Sequence, residues 1–322
     1  MKAHMEKLIQ GARRAGAVAV MSLTLVATFS AAGLTVASSA SAQGTAKANP
    51  TIKVEHHAGA TRVIRSDSSC PLSQGYWLAA SDGGVFAFGQ AGFYGSLGST
   101  HLNAPIVGMT PSFDGRGYWL VASDGGVFSY GDAPFLGSLG ATHLNAPIVG
   151  IAATPDGQGY WLVAADGGIF SYGDAAFYGS LGANHLNKPI VGIAASVDGR
   201  GYWLAAADGG IFAFGDATYF GSLGGTNLNK PIVGISAARN GNGYYLVGSD
   251  GGVFAFGGAT FYGSAGAIHL NKPIVGVAGT FQGNGYTLAA TDGGVFNYGD
   301  SSFCGSTGNV SLVKPIVSIA FY

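Results

Sequence analysis

The chain has 322 residues, of which 48% are hydrophobic and 10% charged, and 56 are glycine. That much glycine excludes a mainly helical protein, since each interior Gly costs a helix about 1 kcal/mol relative to Ala; 19 Phe and 15 Tyr exclude a disordered chain. With 15 basic against 16 acidic side chains, there is no basic surface to displace counterions from a phosphate backbone, so nucleic acid is excluded as a partner.

The chain opens with Lys2, Lys7, Arg13 and Arg14, followed by an uncharged stretch from Ala15 to Ala37 and by Ser38-Ser39-Ala40-Ser41-Ala42. Basic start, apolar middle and a small-x-small end predict a secretory signal covering residues 1–42, cleaved after Ala42. The alternative is a retained anchor, because the stretch is long enough to cross a bilayer. Arg13-Arg14 resembles a twin-arginine signal, but Ala15-Gly16 matches it poorly, and no cysteine near Ala42 offers a lipid attachment site. Cleavage takes four of the 15 basic side chains and one of the 16 acidic ones, leaving a net charge of −4 and no stable membrane span. Residues 43–74 read as a partly flexible N-terminal segment.

From Gly75 to Tyr322 the sequence repeats. Gly-Tyr before an apolar run places its tyrosine at 76, 118, 160, 202, 244 and 286, and Pro-Ile-Val begins at 105, 147, 189, 231, 273 and 315. Asp-Gly-Gly keeps the same 42-residue step at Asp82, Asp124, Asp166, Asp208, Asp250 and Asp292. Within residues 147–188, Pro147–Ala153 reads as a β-branched strand and Pro155-Asp156-Gly157 as a turn. Tyr160–Ala164 is a second strand, and Asp166-Gly167 a tight hairpin of the primed kind. Ile169–Tyr172 is a third strand, Phe177-Tyr178-Gly179 a short fourth, and Leu181–Lys188 a connector. Along the second strand the Tyr/Leu face is invariant. The intervening position varies, as Trp77, Trp119, Trp161, Trp203, Tyr245 and Thr287, so the Tyr/Leu face is expected to make the tighter inter-sheet packing.

Four short antiparallel strands every 42 residues match the size of a propeller blade. The predicted fold is all-β: a single six-bladed β-propeller over residues 75–322. The phrase Gly-Tyr-Trp-Leu-Val-Ala-Ala-Asp-Gly-Gly-Ile-Phe-Ser-Tyr-Gly-Asp, from Gly159 to Asp174, resembles the repeat of secreted bacterial β-propeller-like proteins. In that group such repeats occur alone or beside cell-wall-hydrolase domains. The resemblance implies architecture and a secreted or cell-wall-associated location, but carries no catalytic residues.

Blades should begin with Pro-Ile-Val, yet Val63–Cys70 before the first Gly-Tyr is polar, and a surplus copy stands at Pro315–Tyr322. Placing that copy beside Gly75–Phe93 completes six blades and removes an open edge. The same closure makes Cys70 and Cys304, the only two cysteines, neighbours in an exported chain, so a disulfide is expected.

Enzyme signatures are thin. Glu55 is the only glutamate after residue 42, which excludes a paired-glutamate glycosidase. Gly95-Ser96-Leu97-Gly98 lacks the spacing of a nucleophile elbow, and no phosphate loop, zinc motif or calcium loop occurs. His101, His143, His185 and His269 belong to separate copies and cannot ligate one zinc. No cofactor and no metal is expected. The lysines before the later Pro-Ile-Val copies read as a solvated rim. In a four-stranded blade, the turn between strands two and three and the connector emerge on one side. That rim gathers the six Asp-Gly-Gly aspartates with Asn103, Asn145, Asn187, Asn229 and Asn271, residue types that recognise sugar hydroxyls. Asp-Gly also suits a tight turn for backbone reasons alone. The sequence therefore points to an exported non-enzymatic binding or scaffold module, lectin-like toward cell-surface or cell-wall glycans. The alternatives are an extracellular hydrolase at the channel mouth and a protein–protein platform. The oligomeric state is not encoded in any pattern here.

Overall fold

The computed structural model describes residues 53–57, 60–64 and 70–322; the expected signal, residues 1–42, lies outside them. The described residues contain strands and no helix, so no helix among them is long and apolar enough to cross a membrane. Lys53–His57 and Ala60–Ile64 pair as an antiparallel hairpin within the segment expected to be partly flexible.

The repeats form six antiparallel sheets of three strands each. The pattern is clearest in Ile148–Ala153, Gly159–Ala164 and Ile169–Gly173, paired in that order. Strands Ile106–Pro111, Gly117–Ala122 and Val127–Gly131 form the sheet before it. Three more begin with Ile190–Ala195, Ile232–Ala237 and Ile274–Gly279. The remaining sheet is composite: the C-terminal strand Ile316–Phe321 pairs with Gly75–Ala80, which pairs with Val85–Gly89. The surplus Pro-Ile-Val copy thus occupies the position that the repeat arithmetic expects. Each first strand lies against the first strand of the next sheet, and Ile316–Phe321 lies against both Ile274–Gly279 and Ile106–Pro111.

The first strands come this close because each carries a small residue in its middle. At Gly150 an added Cβ would sit 3.3 Å from Val163 and 3.5 Å from Ile193, with the Gly192 Cα at 3.8 Å. The corresponding positions are Gly108, Gly192, Gly234, Gly276 and, in the C-terminal strand, Ser318.

The core is divided among the sheet interfaces. Trp119 and Val121 of one middle strand pack with Tyr160 and Leu162 of the next, and the same combination recurs around the series. Every residue of each middle strand is buried. The Trp position is therefore as tightly packed as the Tyr/Leu face, contrary to the expectation from variability. The Trp119 and Tyr160 ring centroids are 5.6 Å apart, a tilted contact that adds to the area buried. Variation at this position reflects what each interface must fill. Where Thr287 replaces Trp, Asn297 and Ser301 complete a polar cluster around it.

No fourth strand pairs in any sheet. In the segment Ala175–Gly179 side chains take the backbone groups instead. Trp161 Nε1 donates to the Ala176 carbonyl at 2.8 Å, and Tyr178 N–H donates to the Tyr202 hydroxyl at 3.2 Å. The hairpin at Asp166-Gly167 also differs from the two-residue primed turn. Ala164 N–H donates to the Gly168 carbonyl and Gly167 N–H to the Ala164 carbonyl, enclosing three residues, with Gly167 at φ +80°. This is the three-residue loop in which a left-handed glycine forms the bulge.

Cys70 and Cys304 are joined in a disulfide. In three interfaces a ring packs onto the glycine ending a third strand, Tyr178 at Gly215, Phe220 at Gly257 and Tyr262 at Gly299, and Leu136 takes that place at Gly173. At Gly89 the two sulfurs occupy that place. Gln74 adds a second clasp, donating to the Asp300 carbonyl at 2.7 Å and accepting the Ser302 N–H at 2.8 Å.

Candidate functional site

The hairpin between middle and third strands and the connector that follows share one face. Leu181 N–H in the connector donates to the Gly167 carbonyl at 2.9 Å, and Ile190 N–H at its end donates to the Ala165 carbonyl at 2.9 Å. These bonds recur with the 42-residue step, as in Leu139 to Gly125 and Leu223 to Gly209. Each connector is therefore tied at both ends to a hairpin tip, and between the ties its leucine, as at Leu186, packs on the core while the neighbouring His185 and Asn187 are exposed.

On this face Asp82, Asp124, Asp166, Asp208, Asp250 and Asp292 are half-buried. In all six, Oδ1 accepts the N–H of the glycine two residues on, at 2.9–3.0 Å. Half of each carboxylate is committed to its turn, the backbone role that Asp-Gly alone accounts for. The aspartates stand one per sheet. Among the described residues no three His, Cys, Asp or Glu side chains group to hold a metal.

Asn103, Asn145, Asn187, Asn229 and Asn271 are exposed, as are His101, His143, His185 and His269. The structure brings connector and aspartate together in clefts. His185, Asn187 and Asp208 line one of about 450 Å³; Asp124, His143 and Asn145 line another of about 310 Å³. A connector therefore has an aspartate available from the hairpin on either side, a mixed set of donors and acceptors around a shallow hollow.

The opposite face carries carboxylate pairs that the sequence reading did not single out. Asp156 and Asp174 interact there, as do Asp198 and Asp216. The Thr154 hydroxyl and Gln158 N–H hold the Asp156 carboxyl below the usual carboxylate range. Desolvation and the neighbouring Asp156 push Asp174 up. Asp216 is raised by the same causes, while the Ser196 hydroxyl and Arg200 N–H lower Asp198. The available signal was an 18-residue offset between two aspartates in three of the copies, the third pair being Asp114 and Asp132.

A third feature lies along the first strands. Their side chains enclose a hollow of about 290 Å³ whose wall includes Met109, Ile151, Ile193, Ile235, Val277 and Ile319, and which contains no Asp, Glu, His, Lys, Cys or Tyr. The polar side chains of this wall are the hydroxyls of Thr110, Ser196 and Ser236 and the guanidinium of Arg239.

No protein-family model matches the chain, and no curated protein matches it.

Proposed function

We propose that the six sheets are the blades of a closed propeller and that the chain is an exported, non-enzymatic module binding polysaccharide at the face of hairpin tips and connectors. The observation carrying this reading is the cleft in which His185 and Asn187 meet Asp208. It combines an imidazole, a carboxamide and a carboxylate around one hollow. The connector pattern recurs through most of the copies, and several weak equivalent sites on one rigid body give avidity toward a repeating polymer without strong affinity at any one of them. Asn is the principal contact in this reading, because the aspartates already serve their turns.

The disulfide supports an oxidising, extracytoplasmic location, in keeping with the expected signal. The test is retention of the purified protein on isolated cell-wall glycan and on a panel of soluble polysaccharides. Replacing Asn103, Asn145, Asn187, Asn229 and Asn271 together by Ala should abolish retention while leaving the unfolding transition in place. A native protein retained by no polysaccharide overturns the lectin reading in favour of a protein-binding platform.

A further inference from the structure

The hollow along the first strands opens on the face that carries the turns between first and middle strands, away from the hairpin tips. Its aliphatic wall continues into a narrower hollow of about 140 Å³ bounded by the same Met109, Ile151, Ile193, Ile235, Val277 and Ile319. The hydroxyls of Thr110, Ser196 and Ser236 stand among these aliphatic side chains.

The turns at its mouth are not equivalent. Three read Phe113-Asp114-Gly115-Arg116, Pro155-Asp156-Gly157-Gln158 and Val197-Asp198-Gly199-Arg200; the next two read Arg239-Asn240-Gly241-Asn242 and Phe281-Gln282-Gly283-Asn284. Arg239 thus stands where its counterparts are apolar, and the carboxylate of the pattern has become an amide both in its own turn and in the turn it leans on. Its guanidinium carbon lies 5.4 Å from the Phe281 ring centroid, a cation–π contact that fixes the group over the rim. The stem of Arg239 packs on Gly283. The one carboxylate that the pattern retains in this sector, Asp300, accepts from the Thr280 hydroxyl at 2.7 Å. The only ion pair among the described residues is Arg116 with Asp114, at 3.6 Å. Arg239 therefore borders the hollow as a positioned cation without an anion.

We propose that this hollow binds a linear alkyl carboxylate, the chain lying against the aliphatic wall and the carboxylate meeting Arg239. The planar guanidinium matches a carboxylate through two parallel N–H···O bonds, and the ring of aliphatic side chains at Met109, Ile151, Ile193, Ile235, Val277 and Ile319 faces the rest of the molecule. The site is separate from the polysaccharide face and stands independently of that reading.

The experiment is calorimetric titration of the full chain with sodium decanoate below its micellar range, with decyltrimethylammonium as the cationic control. Decanoate should bind saturably, one per chain, with a negative heat-capacity change; the cationic amphiphile should not compete. Arg239→Gln, a change in an exposed turn, should weaken decanoate by about tenfold or more, the loss expected for a charge-assisted hydrogen bond. Ala195→Leu, which narrows the hollow, should weaken it with Arg239 intact. Absence of saturable binding overturns the proposal, as does equal affinity in Arg239→Gln or equal binding of the cationic amphiphile. Self-association through this face without decanoate binding overturns it in favour of a second copy as the occupant.

Discussion

The Tyr76 hydroxyl donates to the Gly305 carbonyl at 2.6 Å across 229 positions of sequence, and accepts the Cys304 N–H at 3.1 Å. The same two bonds, made by Tyr118, Tyr160, Tyr202, Tyr244 and Tyr286 to the segment 23 or 24 residues earlier, tie neighbouring sheets. Only at Tyr76 do they join the two ends of the chain. Tyr76→Phe should therefore cost about 1–3 kcal/mol, the penalty for leaving a buried acceptor and donor unsatisfied. Urea unfolding of the variant, compared with Tyr160→Phe, gives the measurement. A cost below that of ordinary surface substitutions would separate the hydroxyl from closure.

The disulfide encloses a loop of 234 positions. In the chain-entropy model a cross-link of that span contributes about 5 kcal/mol, with less expected if the reduced ends stay clasped by Gln74. Thiol titration of denatured, unreduced protein should find no free thiol. Cys70→Ser with Cys304→Ser should lower the thermal midpoint while the fold persists at low temperature.

Deleting Pro315–Tyr322 removes the partner of Gly75–Ala80 and exposes an apolar strand edge. The truncated chain should accumulate as aggregate, and sedimentation of the soluble fraction decides. A truncated monomer with an unchanged melting transition would refute the composite sheet.

Alkaline pH offers a distinct probe. Burial raises the pKa of Tyr118, Tyr160, Tyr202, Tyr244 and Tyr286, Tyr244 to about 12. A group whose folded pKa exceeds its unfolded value near 10 contributes stability that is fully present below pH 10 and lost as pH rises through the folded value. The protein should hold its stability through neutral pH and lose it steeply between about pH 10 and 12. Tyrosinate absorbance should rise together with loss of near-ultraviolet dichroism. Titration of these tyrosines near pH 10 with the fold intact would contradict their burial.

The pairing of Ile316–Phe321 with Gly75–Ala80 was legible because strand order, turn chemistry and period all act locally and recur six times. The Cys70–Cys304 bond followed from the same closure. Less legible was the segment around Phe177-Tyr178-Gly179: its composition is that of a strand, but Trp161 and Tyr202 from two different sheets claim its backbone groups. That competition exists only in three dimensions. The Asp156–Asp174 pair was similarly hidden, since each residue has a sufficient local explanation as a turn former. The role of Arg239 was equally illegible, since its placement over the Phe281 ring depends on a neighbouring copy.

The composite sheet also imposes an order in time. A chain emerging from the ribosome makes Gly75–Ala80 before any other repeat strand, yet the partner of that strand, Ile316–Phe321, follows all five other sheets. The intervening sheets can assemble as they appear, each against the one before it, while the first lacks a strand until Ile316–Phe321 is made. Any prematurely stopped or clipped chain keeps an unpaired edge and, if it ends before residue 304, an unpaired thiol as well.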